Sequence, residues 1–74
     1  MTRLAGFSAN RVIQKLRRAG FVLDREAKGS HEIWRNPETR ARTIVPHHPG
    51  DLPEDIVRKI VRQAKMSVDE FLKL

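Results

Sequence analysis

Lys28-Gly29-Ser30-His31 places an ammonium, a hydroxyl and an imidazole in adjoining positions at the mouth of a strand-like stretch, Glu32-Ile33-Trp34-Arg35. Histidine's ordinary pKa, about 6.5, lets it take or give a proton at neutral pH. Gly29 allows a phosphate to approach the backbone closely, Ser30 can donate a hydrogen bond to a phosphate oxygen, and Lys28 is the nearest cation for charge stabilisation. Together these groups suit acid–base chemistry on a phosphodiester. RNA needs no more than that, because its 2′-hydroxyl is an internal nucleophile. One histidine accounts for half of the proton traffic, and His48 or water would supply the rest. From residue type alone, His31 reads equally as a strand-end histidine that caps a turn. His48 and His47 read equally as loop residues beside Pro49-Gly50. Three histidines with no cysteine and no i, i+4 helical pair do not have zinc-site spacing, so we expect no metal and no cofactor.

The elements that must position these groups are well marked. Ser8 is a natural N-cap with Phe7 and Val12 at the staple positions, and Val12, Ile13, Leu16 and Ala19 recur at helical spacing up to Gly20. This predicts a helix over about residues 9–19. Strands are expected over Phe21–Ala27 (Phe21 and Leu23 on one face), Ser30–Arg35 and Arg40–Pro46, with Asn36-Pro37-Glu38-Thr39 as a turn between the last two. Asp51 with Glu54 reads as a capping box for a second helix, with Pro53 in its first turn and Ile56, Val57, Ile60, Val61 and Ala64 as its stripe. Ser67 with Glu70 repeats the box, and Met66 with Phe71 supplies the staple, for a short last helix. The order is α-β-β-β-α-α: one α+β domain over residues 1–74, a three-stranded antiparallel sheet with the helices packed on one face. Trp34 alternates with Ile33, so one of the two faces the helices. We favour Trp34 as the largest core residue, which puts His31 on the Ile33 side. With Ile33 in the core instead, Trp34 would be free to stack on a base.

Charge is one-sided. Residues 1–50 carry ten Lys/Arg against four Asp/Glu, whereas residues 51–74 carry five of each, so the first part holds the whole net charge of +6. That is the footprint of a nucleic-acid binder or of a protein that docks an acidic partner. Arg11, Lys15 and Arg18 share a face of the first helix, and Arg35 and Arg42 flank the second turn; with Gly29 these are the candidate RNA contacts. There is no cysteine, no signal-peptide-like start and no membrane-length apolar run, so we expect a cytoplasmic protein.

The helix–sheet order and basic surface are those of a double-stranded-RNA-binding (dsRBD-like) fold. More specifically, Ala19-Gly20-Phe21, Lys28-Gly29-Ser30-His31, Pro46-His47-His48, Arg62-Gln63-Ala64 and Met66-Ser67, in this order over roughly residues 8–72, resemble the HicA toxin family. The resemblance implies the toxin of a prokaryotic type II toxin–antitoxin system. Such a toxin is an mRNA interferase, an endoribonuclease that binds and cleaves mRNA, and is neutralised by a HicB-like antitoxin. It implies His31 as the catalytic histidine and His48, two positions after Pro46, as the second. Two positions depart from the family pattern: Asp55-Ile56 where Gly-Thr is frequent, and Lys65 where glycine is usual. The first is expected to weaken RNA contact near the helix end; the second is expected to alter only a cap. The alternative is a non-catalytic RNA-binding module of the same fold, which would lose nothing on His31→Ala.

Overall fold

A computed structural model describes residues 3–74. The elements are α1 (Ala9–Arg18), β1 (Val22–Glu26), β2 (His31–Arg35), β3 (Arg42–Pro46), α2 (Glu54–Gln63) and α3 (Val68–Lys73). The strands form an antiparallel sheet in the order β1-β2-β3. This is the expected α+β, dsRBD-like arrangement.

The register decides what each face carries. Trp34 pairs with Thr43, and Glu32 with Val45; Trp34, Thr43 and Val45 are buried, so this face lies under the helices. Ile33 pairs with Ile44, His31 with Pro46 and Arg35 with Arg42 on the opposite, open face. Trp34 is 2% exposed and Ile44 44%. The tryptophan is core, and His31 stands on the open side as parity requires.

Ser8 Oγ accepts from Arg11 N at 3.2 Å to start α1, and Ala9, Val12, Ile13 and Leu16 bury its stripe. At its end Gly20 N donates to Arg17 O at 3.0 Å and Phe21 N to Leu16 O at 2.9 Å, a closure that needs a left-handed residue at Gly20 (φ +97°). This corrects the first strand. Phe21 belongs to the helix closure and is buried there, so the strand begins at Val22. A bulge at Asp24 then breaks the simple alternation. Leu23 faces Trp34 yet is 45% exposed, because β1 is the outer strand.

The helix-two cap also differs from expectation. Asp51 forms a bridge with Ser8, and Leu52 N donates to Phe7 O at 2.7 Å, so this segment is held extended against the start of α1. The N-cap position falls on Pro53 with no side-chain cap, and Glu54 and Asp55 lie in the first turn, where the helix dipole favours carboxylates. Long-range backbone pairing displaced the local capping box.

Lys65 ends α2 just as Gly20 ends α1. Its N donates to Arg62 O at 3.0 Å and Met66 N to Val61 O at 3.2 Å, with φ +61° at Lys65. A side chain in that conformation costs about 1 kcal/mol relative to glycine. Lys65→Gly is therefore expected to raise Tm by about 4–8 °C. A thermal melt showing no gain would mean that the lysine side chain makes an offsetting contact.

The last helix starts with the expected reciprocal box: Glu70 N donates to Ser67 Oγ at 3.1 Å and Ser67 N to Glu70 Oε1 at 2.8 Å. The backbone and side-chain hydrogen bonds with Ser67, the backbone one foremost, hold the Glu70 carboxyl below its ordinary value of 4.5. The box therefore contributes fully above that pH and is lost as pH falls through the lowered value. Glu70→Gln should remove this part of the acid sensitivity, read as a flatter dependence of Tm on pH in the acid range. An unchanged slope would assign that sensitivity to other carboxylates.

Candidate functional site

The Gly29-Ser30-His31 turn is held from both sides. Ala27 N donates to His31 O and His47 N to Ser30 O, both at 2.7 Å. Gly29 adopts φ +70°, and a Cβ there would meet nothing within 4 Å. Its lack of a side chain serves the backbone conformation and leaves the approach to the turn open. Lys28, Ser30 and the His31 side chain are exposed.

His31 lies between two depressions. One, of about 220 Å³, is lined by Glu26, Gly29, Ser30, Glu32 and His47 along with His31 itself. The other is a groove of about 420 Å³ between the β3 edge and α2. His31, Ile44 and Pro46 reach it from the sheet, His48 from the following loop, and Ile56, Lys59 and Gln63 from α2. Thr43 Oγ1 donates to Gln63 Oε1 at 3.0 Å, which fixes that amide and leaves its NH₂ to donate elsewhere. Lys59 is exposed and has no ion pair among the described residues.

The structure therefore brings His31 and His48 to one groove and separates the adjacent histidines. His47 Nε2 lies 3.1 Å from Asn10 Oδ1 of α1. An amide oxygen only accepts, so Nε2 carries the proton in this pair. With its backbone bond to Ser30, His47 ties the turn to the start of α1.

The other candidate residues are distributed differently. Arg35 and Arg42 sit on the open face, both paired to Asp24. Arg11, Lys15 and Arg18 belong to the helix layer, with the sheet between them and His31's face. Arg11 stacks 4.8 Å from the Phe7 ring centroid. Lys15 Nζ donates to Leu74 O at 2.8 Å and Leu72 O at 3.4 Å, holding the last turn of α3. Burial, then Arg11 and Arg18, push its pKa down. An RNA contact from Lys15 would break that tie. Lys28 lines neither depression.

Lys59 and Gln63 were not singled out from the sequence. The signal available was their i, i+4 spacing beside Ile56 and Ile60, at the margin of the apolar stripe. It says nothing until α2 is known to lie along the β3 edge. Among the described residues no three His, Asp or Glu side chains gather as a metal site, and no helix is long and apolar enough to cross a membrane.

The family model described as HicA toxin of bacterial toxin-antitoxin matches residues 9–66, a span that holds the turn and every side chain lining the two depressions. No curated protein matches the chain.

Proposed function

The chain belongs to the HicA toxin family, and on that premise we propose that it is a cytoplasmic endoribonuclease that cleaves mRNA without a metal and is neutralised by a HicB-like antitoxin. The observation that carries this reading is the groove that His31, His48 and Lys59 all line.

In the proposed reaction one histidine removes the 2′-hydroxyl proton. The 2′-oxygen attacks the adjacent phosphorus, the bond from phosphorus to the 5′-oxygen breaks, and that oxygen takes a proton. The products are a 2′,3′-cyclic phosphate and a 5′-hydroxyl. His31 is the acid–base group and His48 its helper, one acting as base and the other as acid. Lys59 supplies positive charge to the dianionic phosphorane, Ser30 donates a hydrogen bond to a phosphate oxygen, and the bare backbone at Gly29 lets the phosphate settle. Lys28 adds long-range attraction from the turn. Arg35 and Arg42 hold the strand farther along the sheet. An antitoxin that covers the groove would hide His31 and His48 together.

Expression of the wild type should arrest growth and fragment mRNA, and His31→Ala should do neither while accumulating to the same level. Co-expression of a HicB-like neighbour should restore growth. Intact RNA in cells that make the wild type would overturn the reading.

A further inference from the structure

Three arginines converge at the far end of the open sheet face from His31. Arg35, Arg40 and Arg42 line, with Asn36 and Pro37, a depression of about 440 Å³ where β2 turns into β3. Asp24, extruded by the β1 bulge, sets one carboxylate oxygen 3.5 Å from Arg35 Nε and the other 3.1 Å from Arg42 Nη1. One carboxylate among three guanidiniums orients two of them and neutralises a single charge. Arg40 has no ion pair among the described residues.

The backbone at Arg40 is left-handed. Arg40 N donates to Asn36 O at 2.8 Å and Asn36 N to Ala41 O at 2.9 Å, and this closure puts residue 40 at φ +64°. Glycine would take that conformation without steric conflict. The chain keeps a cation there all the same. Lys65 shares that conformation at a plain helix end, so what points to a ligand is the convergence of the three guanidiniums.

All four aromatic residues, Phe7, Phe21, Trp34 and Phe71, are buried. Apart from the His31 imidazole, the open face therefore offers no aromatic ring on which a base could stack, and an RNA strand lying farther along it would be held mainly by its phosphates. His31 and Arg35 lie on one strand and one face, roughly 13 Å apart at ~3.3 Å per residue. One cross-strand row, Arg25, Ile33 and Ile44, stands between them on that face.

We infer that the Arg35, Arg40 and Arg42 depression is a phosphate subsite for single-stranded RNA, engaging the backbone some nucleotides away from the bond cut at His31. The inference rests on the RNA-cleaving reading above. The separation is about four steps of a stacked strand at ~3.4 Å each, and fewer of a stretched one. The subsite therefore serves an oligonucleotide and lies beyond the reach of a dinucleotide.

The test measures binding of a single-stranded RNA oligonucleotide to His31→Ala protein, with and without Arg40→Gly, across a salt series. Arg40→Gly is expected to weaken binding about tenfold and to lower the salt slope by about one, while Tm rises because the strain is gone. Arg40→Lys, which keeps the charge, should retain most of the affinity. In the active protein, Arg40→Gly should lower about tenfold the ratio of kcat/KM on the oligonucleotide to that on a dinucleoside monophosphate. Unchanged RNA affinity and slope would overturn the inference. So would unchanged RNA affinity beside weaker capture of an acidic antitoxin, which would assign the arginines to a protein partner. The binding arm needs no cleavage, so it decides the subsite even if the wild type cuts no RNA.

Discussion

His31→Ala is expected to lower RNA cleavage by about 10²–10⁴-fold, the range lost with a positioned general acid or base. Binding and folding should survive. The His31 side chain is exposed and makes no hydrogen bond among the described residues; its structural ties are the backbone bond from Ala27 and the pairing with Pro46. Alanine keeps both, so the stability change should stay within about 0.5 kcal/mol. Single-turnover cleavage, RNA affinity and Tm measured on the same preparation separate these effects. A variant that cuts as fast as the wild type would move the chemistry away from this turn, and one that melts early would make the histidine structural.

Lys59→Ala should lower kcat/KM by about 10²-fold, as when one donor to a developing oxyanion is removed. The size is that of a Coulomb interaction at contact range: two unit charges about 4 Å apart are worth about 4 kcal/mol near a protein surface and about 1 in bulk water. The loss should fall mainly on kcat, because the extra negative charge exists only in the transition state. Lys59→Arg should recover part of it. Lys28→Ala is the control: its ammonium lies outside the groove and should cost much less. A larger loss at Lys28 than at Lys59 would show that the turn supplies the cation.

The two lysines show where the sequence was sufficient and where it was not. Features set by neighbours in the chain were legible. The Ser8 cap, the Gly20 helix end, the Ser67–Glu70 box and the existence of three strands came from local patterns, the first strand's start excepted; alternation left Ile33 or Trp34 for the core, and the size of the single tryptophan favoured Trp34. Features set by distant segments were not. Asp51 reads as a cap until Ser8 and Phe7 pair with its segment. Leu4 and Leu52 are buried outside any periodic stripe. Lys15 looks like one member of a basic stripe, yet its partners are carbonyls at the chain's other end. In the candidate site, His31 stood out through the Gly-Ser-His resemblance, while Lys59 needed the packing of α2 along β3 to become visible. Lys28 was the natural choice from the sequence because chain proximity was the only distance available.

The departures from the family pattern look different once they are located. Ile56 lines the groove beside Lys59, whereas Asp55 is exposed. In the proposed reaction that apolar wall would meet a ribose or base edge, and the phosphate would fall to Lys59 and the histidine pair. Lys65 occupies a left-handed cap, so the substitution acts on stability and not on the groove.

The most direct test of the central claim is the chemistry of the cut ends. RNA incubated with purified wild type in excess chelator should yield fragments ending in 2′,3′-cyclic phosphate and beginning with 5′-hydroxyl, and His31→Ala should yield none. Intact RNA, or fragments beginning with 5′-phosphate, would contradict the account.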